Sequence, residues 1–504
     1  FSTDGFVSSL MVNAGIWKEG VNMLMGGSHV WLQMLAWGLW KGIGWSAIIY
    51  IAAISGIDQQ LYEAATVDGA GRFQRMWNIT VPSLIPTFCV LLLMSIANIL
   101  SNGMDQYLVF ENSTNTSSIM VLDLYVYKLG IGQGQIPLST VIGMVKSVVS
   151  VTLLFAANGI SKLIRGESIV KVVLMLTGKA VIEKYVPSKE KADLKAEKLY
   201  EKTHKRKYRL KPGDIVFNIL NYLFFTLFTI ACIFPFYYLF INTISDNDLV
   251  IKGLINFIPR GIHFDNYTAL LNVSDLSSAL IVSLSRTVLG TALMVAASGF
   301  IGYLVTKDEM WGRKFWYRFL VITMYFNAGL IPWFLNMQML GLTNTFWAYI
   351  IPGIVAPYNI ILVKTYIESI PAELEESAQI DGASFFTVFR KIIWPLSKPI
   401  LATIAIFGAV GHWNSFTDSL ILMTSAPKLY TLQHRLYIYL NQASNLSALM
   451  ESGGSVSEAV LKSAMSGKVI KYTISMVTVI PILIVYPFMQ RYFEKGIMLG
   501  AVKG

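Results

Sequence analysis

Nine stretches of this chain are each long and apolar enough to cross a bilayer, and they leave little room for anything else. They run over residues 31–57, 81–102, 138–162, 215–242, 278–305, 315–336, 345–367, 395–418 and 469–491. A spanning helix needs about 20 apolar residues. None of the nine alternates polar and apolar positions as a membrane β-strand does. Inside hydrocarbon a lone segment can satisfy its backbone only by coiling into a helix. The pattern therefore predicts an all-α polytopic membrane protein of about nine transmembrane helices. Pro332, Pro352 and Pro481 fall inside these runs, where membrane helices tolerate them. Charged residues make up only 14% of the chain, against roughly 25% in soluble domains. That shortfall excludes a disordered chain and argues against a water-soluble enzyme.

Charge fixes the orientation. The most charged stretch, IEKYVPSKEKADLKAEKLYEKTHKRKYRLK, ends at Lys211 between the third and fourth runs. Lys and Arg concentrate in cytoplasmic loops, so this stretch belongs inside. Parity then places the N-terminus outside and the C-terminus inside. The basic loop KDEMWGRKFWYR at 307–318 comes out inside, and the loop 103–137, with Asp105, Glu111 and Asp123 against Lys128, comes out outside. Spans flank the basic stretch too closely for a nucleic-acid-binding tail. Cys89 and Cys232 sit in apolar runs and read as packing, not as a disulfide framework. The five histidines show no ligand spacing such as HExxH, so no metal site is expected. No signal peptide is visible, and a start at Phe1 in place of Met is read as a truncation.

Two of the loops expected inside match each other. EAATVDGAGRFQRMWNITVPSLIP at 63–86 and ESAQIDGASFFTVFRKIIWPLSKP at 376–399 align without a gap at an offset of 313 residues (376 minus 63). Glu63, Ala65, Asp68, Gly69, Ala70, Phe73, Ile79, Pro82 and Pro86 meet Glu376, Ala378, Asp381, Gly382, Ala383, Phe386, Ile392, Pro395 and Pro399. A mere connection has no reason to repeat its residue identities. The chain therefore holds two versions of one membrane unit, as transporters often do. Each copy opens with a short helix former, turns at Gly69 or Gly382, and runs to a Pro at the next span. It contains no nucleophile, metal site or acid–base pair, so no catalytic residue is expected. Its small residues, Ala64 and Ser377 among them, let another protein approach closely.

EAATVDGA and ESAQIDGA resemble the EAA loop of ABC importer permeases, with Ser377 replacing the middle Ala of the second copy. Asp58 stands where the second copy has Pro371, a position at which the family commonly has Pro. The segments LWKGIGWSAIIYIAAISGID, SNGMDQYLVF, LDLYVYKLG and IGMVKSVV make residues 1–170 resemble the C-terminal half of one sugar permease, with three spans and an EAA loop at 58–86. SLSRTVLGTAL, AGLIPWFL, LGLTNTFWAYIIPG, HWNSFTD and YPFMQRYFEKG, with the terminal GIMLGAVKG, make residues 214–504 resemble a complete partner permease with six spans and an EAA loop at 371–399. Residues 171–213 form a basic cytoplasmic linker or N-terminal tail, and the junction near Lys171–Met175 has no family counterpart. The whole resembles the type I importers of the carbohydrate-uptake class, and within it the permease pairs for complex, including pectin-derived, oligosaccharides.

The resemblance implies a bacterial cytoplasmic-membrane component with a cytoplasmic C-terminus. It would translocate a sugar that an extracellular solute-binding lipoprotein delivers. The chain has no G-x-x-x-x-G-K-[ST], so it lacks a P-loop and carries no cofactor of its own. The resemblance places Mg-ATP on two ABC ATPase subunits docked on the two loops. Glu63, Ala64, Ala65, Asp68, Gly69, Ala70 and Pro82, with Glu376, Ser377, Ala378, Asp381, Gly382, Ala383 and Pro395, are then the coupling residues. The segment 495–504 is a further ATPase contact. For the sugar path the candidates are Asn98 and Asn102, with Ser101, in the first unit and Asn327, Trp413 and Asn414 in the second. Asparagine in a membrane helix also serves as helix-packing glue. Lys41, Lys146 and Arg286 lie inside spans towards the outer side, where each must snorkel, pair or face water; their position favours snorkelling. The alternatives are a permease for an amino acid or osmolyte, a non-functional fused fragment, and a secondary transporter that needs no ATPase.

Overall fold

A computed structural model describes residues 6–24, 29–165 without 56, 58, 98, 101, 102 and 113, 212–485 without 272, 273, 326, 327, 369 and 452–466, and residue 487. No strand occurs among them. The first unit contains α1 (Phe6–Asn13), α2 (Val30–Ser55), α3 (Gln59–Val67), α4 (Arg72–Arg75), α5 (Val81–Ala97), α6 (Met104–Phe110), α7 (Leu122–Tyr127) and α8 (Ile136–Arg165). The second contains α9 (Pro212–Thr243), α10 (Ser274–Leu304), α11 (Arg313–Tyr325), α12 (Leu330–Met339), α13 (Pro357–Ile367), α14 (Glu373–Ile380) and α15 (Phe385–Val388). It continues with α16 (Lys398–Asn414), α17 (Thr417–Leu422) and α18 (Leu432–Glu451), then α19 (Gly467–Val485). Most of the linker, 166–211, lies outside the described residues.

Among the described residues four helices are long and apolar enough to cross a membrane, and up to six if each bent pair is one span. The nine runs of the sequence are thus not nine straight rods, and the breaks have local causes. The run 315–336 divides into α11 and α12, with Gly329 at φ 98° beginning the second piece. A Cβ there would lie 3.6 Å from the Cα of Gly143 on α8, so two glycines permit a close backbone approach. In the run 345–367 two 3-10 turns meet α13 at 43°. Pro352 and Pro357 each fall in the first turn of their segments, where a missing N–H is tolerated but continuity with the preceding turn is lost. The segment Phe385–Leu396 meets α16 at 78°, with Pro399 in the first turn of α16.

The helix α10 is the centre of the second unit and packs on both α16 and α13. Small residues allow this: a Cβ on Gly299 would lie 2.7 Å from the Trp394 ring, and one on Gly302 3.0 Å from Val363 and 3.3 Å from the Ile360 carbonyl. Without a hydrophobic driving force in lipid, such close van der Waals contact is what holds helices together. The largest core cluster belongs to both units, with Met104, Leu108, Val121 and Leu124 packed among Val282, Met337, Ile350 and Leu422. The aromatic ring of Phe6 adds a second junction, against Phe234, Tyr238 and Phe257. We expect Gly302→Ala to lower stability by about 1–3 kcal/mol, as overpacking against backbone does. Gly44→Ala, with nothing within 4 Å of the added carbon, should be near neutral. Thermal denaturation of the detergent-purified chain checks both.

Candidate functional site

The sequence repeat is a structural repeat, residue for residue. The helix α3 ends where Gly69 donates to the Thr66 carbonyl (3.1 Å) and Ala70 to the Ala65 carbonyl (2.9 Å). The helix α14 ends where Gly382 donates to the Gln379 carbonyl and Ala383 to the Ala378 carbonyl, both at 2.9 Å. This pairing of a bond reaching five residues back with one reaching three residues back is the Schellman closure of a helix. It requires a left-handed residue, and Gly69 and Gly382 have φ 79° and 81°. Nothing lies within 4 Å of a Cβ at either position. Backbone conformation, and not space, demands glycine there.

After each turn the repeat continues into α4 or α15 and then into a π turn, Met76–Thr80 or Phe389–Ile393. The positions again differ by 313. Val81 donates to the Met76 carbonyl and Trp394 to the Phe389 carbonyl, one residue further back than in an α-helix. Pro82 and Pro395 follow at once. A proline in a helix interior has no N–H and crowds the carbonyl four residues earlier; a wider π turn directly before it relieves that crowding.

Side-chain orientation within the turns separates two classes of residue. Glu63, Ala64, Asp68, Glu376, Ser377 and Asp381 are exposed, whereas Ala65, Ala70, Ala378 and Ala383 are half-buried. Ala378 and Ala383 pack on the core formed by Tyr303, Val363, Val388 and Leu401. They hold the turn to the bundle, and the small residues left exposed are Ala64 and Ser377. Apolar side chains also stand out at matching positions: Val67 is 87% and Ile380 86% exposed, and Phe73 and Phe386 are each 61% exposed. The second turn is fixed by Glu375, which pairs with Lys307 and accepts a hydrogen bond from Tyr303 (2.8 Å). In the first turn Tyr62 occupies the matching position and bonds Thr80 (2.8 Å). Pro82 and Pro395 are exposed; Asp58 lies outside the described residues.

A second feature lies where the units meet, a cavity of about 730 Å³. Asp123, Lys146 and Ser147 line it from the first unit, and Trp333, Thr417 and Asp418 from the second. Lys146 pairs with Asp123. Arg286, which is 1% exposed, reaches Asp418 through two bonds of 2.6 and 3.2 Å and donates to the Ser415 carbonyl. Its guanidinium also lies over the Tyr349 ring. Neither Lys146 nor Arg286 snorkels; an acidic partner within reach removes the need. Lys41 is exposed. Thr417 donates to Asp105 across the unit boundary.

The expected path residues fare differently. Asn98, Ser101, Asn102 and Asn327 lie outside the described residues. Trp413 is buried and donates from Nε1 to the Thr478 carbonyl (2.9 Å), and Asn414 is exposed beside the cavity residue Ser415. The sequence reading passed over Asp418 and Asp123. For Asp418 a signal exists, because Asp105 and Asp418 also stand 313 residues apart and each falls at the second position of a short helix, α6 or α17. Behind α17, Ser419 contacts Nδ1 of His434 at 2.9 Å. Burial, and then the nearby Arg435, push that imidazole down to about 4.

Residues 7–166 and again 206–499 match the family model described as "binding-protein-dependent transport system inner membrane component". The chain belongs to this family. The permease is similar to the polygalacturonan/rhamnogalacturonan transport system permease protein YtcP of Bacillus subtilis (strain 168), with 34% identity over 57% of this chain and 99% of the relative. It is also similar to the polygalacturonan/rhamnogalacturonan transport system permease protein YteP of the same organism, with 39% identity over 31% of this chain and 49% of that relative. Against that second protein it therefore spans about half the length. Among solved structures it is similar to a chain of a bacterial ABC transporter involved in the import of the acidic polysaccharide alginate. The TM-score is 0.50 at 30% identity, over 56% of this chain and 99% of that one. The permease is thus an all-helical multi-pass membrane protein with the type I ABC permease fold.

Two outcomes follow for the cavity wall. Asp418→Ala leaves Arg286 buried without a counter-charge, which should destabilise the permease by about 3–5 kcal/mol. Asp123→Ala, whose pair with Lys146 is partly exposed, should have a smaller effect; thermal melting in detergent ranks the two. The folded state binds a proton on His434 only near pH 4, whereas the unfolded chain binds it near 6.5. Stability should therefore fall as pH drops from about 6.5 towards 4, and His434→Gln should flatten that portion of the profile.

Proposed function

We propose that the chain is a permease component of an ABC importer, passing an oligosaccharide inward across the bacterial cytoplasmic membrane. Hydrolysis of Mg-ATP on two partner ATPase subunits, one at each repeated turn, drives the cycle. The observation that carries this reading is the identity of the two turns. Each offers the same acid, a small residue (Ala64 or Ser377), the same left-handed glycine and a protruding Val67 or Ile380. Two equal sites suit two equal partners. In this reading Glu63, Ala64, Asp68, Glu376, Ser377 and Asp381 face the ATPases, and Ala65, Gly69, Ala70, Pro82, Ala378, Gly382, Ala383 and Pro395 hold the shape they need. The π turns then transmit the movement of each turn into α5 and α16.

Residues 1–170 act as the C-terminal half of a first unit, 171–213 as a cytoplasmic linker and 214–504 as a complete second unit. The C-terminus lies inside. A solute-binding lipoprotein delivers cargo to the outer face. The names of the similar proteins support a sugar as cargo, and the cavity between the units has suitable chemistry. Trp333 supplies an aromatic face, and Ser147, Thr417, Asp123 and Asp418 supply polar groups for hydroxyls. Asn98, Asn102, Asn327 and Asn414 extend the proposed path by their place in the sequence.

Reconstitution with ATPase subunits and binding protein tests the proposal. Glu63→Ala and Glu376→Ala should each reduce sugar-stimulated ATP hydrolysis about tenfold. That is the loss of one charge-assisted contact of about 1.5 kcal/mol. Gly69→Asp should lower it further by distorting the turn. Normal coupling in all three variants would remove the docking assignment.

A further inference from the structure

Another cavity, of about 620 Å³ and rich in basic residues, opens between the loop 308–312, the start of α11 and α13. Arg313, Lys314 and Lys364 line it, with Tyr317 and one acid, Asp308. Two of the nearby acids, Asp308 and Glu368, are each held by one of these cations. Arg313 pairs with Asp308, whose side chain is 93% exposed, and Lys364 pairs with Glu368 one turn along the same helix. The Arg313 pair, with its acid in open solvent, is of the weak and exchangeable kind, whereas the Lys364 pair is more sheltered, its side chains 13% and 31% exposed. Lys314 is exposed. The ammonium of Lys364 also lies 4.8 Å from the centre of the Tyr317 ring, which fixes its position in the wall.

The surface leading away from this cavity is apolar and aromatic. Phe315, Phe319 and Ile322 recur at helical spacing on α11 and are 62%, 49% and 62% exposed. The Phe315 and Phe319 rings are stacked at 6.3 Å. Trp311 and Trp316 stand exposed at the same end, as tryptophans do at a membrane interface. A cationic hollow continuous with an apolar stripe matches one kind of molecule: a negative headgroup with acyl chains attached. A soluble phosphate would use the hollow and leave the stripe bare.

We propose that this cavity binds the headgroup of an anionic phospholipid, with Arg313, Lys314 and Lys364 around the phosphate and an acyl chain along Phe315, Phe319 and Ile322. The site adjoins the second coupling turn, because Lys307 in the preceding loop pairs with Glu375 and α13 leads directly into that turn. The proposal depends on the membrane-spanning fold, not on the cargo or on the ATPase assignment.

Binding of fluorescent phosphatidylglycerol and phosphatidylcholine to the full chain, purified and delipidated in neutral detergent, tests it. One basic residue near an anionic surface is worth about fivefold in binding. With two of the three cations partly engaged, phosphatidylglycerol should bind about tenfold more tightly than phosphatidylcholine. The triple variant Arg313→Gln, Lys314→Gln, Lys364→Gln should bring the two within about twofold. If that variant fails to fold, Lys314→Gln alone, at an exposed position, should lower the preference by about threefold. Lys428→Gln, on the far side of the second unit, should leave it intact. No preference for the anionic lipid, or an unchanged preference in the folded variants, overturns the proposal. So does full displacement of the lipid by millimolar glycerol phosphate, which would mark a site for free phosphate only.

Discussion

A segment that crosses hydrocarbon must satisfy its backbone within itself, and the rest of this molecule follows from that constraint. It forces helix wherever the chain is apolar, which is nearly everywhere. It also makes every interruption informative, since a break in a membrane helix needs a cause. Among the described residues several interruptions fall at two places. The π turns at 76–80 and 389–393 and the bend at Ser397 lie at the repeated turns. The break at Gly329 and the step from α16 to α17 lie at the cavity between the units. Proline and glycine supply the departures, and close packing against α8 and α10 holds them in place.

The repeated turn shows how local chemistry becomes a surface. The Schellman closure ends α3 and α14 abruptly and aims the next helix back towards the bilayer. The inward alanines seat the turn on the bundle, while Glu63 and Glu376 and the apolar tips Val67 and Ile380 project away from it. Val67 and Ile380, 87% and 86% exposed, give the two turns the same apolar tip. The same geometry explains why the two copies keep different anchors. The second copy reaches Tyr303 and Lys307 through Glu375, and the first closes on itself through Tyr62 and Thr80. What repeats is the exposed face; the attachment beneath it varies.

Much of this was legible in the amino-acid order. Hydropathy alone gave an all-helical membrane protein, and the constant offset of 313 residues located both turns and the glycine that closes each. The helix breaks were harder to read, because a proline in an apolar run is equally compatible with a straight or a bent helix. The neighbouring packing decides, as Trp394 against Gly299 illustrates. The buried charges were visible as costly residues, but their partners were not. Asp418 is 132 residues from Arg286, and only the fold brings them together. Trp413 was marked for its aromatic ring and is instead a core residue, because its indole N–H finds the Thr478 carbonyl one helix away.

The central claim is that both turns contact ATPase subunits in one assembled transporter. Cysteine crosslinking tests it most directly. With Cys89 and Cys232 replaced by alanine, Val67→Cys and Ile380→Cys place a reactive thiol at each exposed tip. Assembled with partner ATPases carrying a single engineered cysteine on their membrane-facing surface, each variant should form a disulfide-linked adduct, and the double variant should capture two ATPase copies. An intact complex that gives no adduct at either tip would contradict the account.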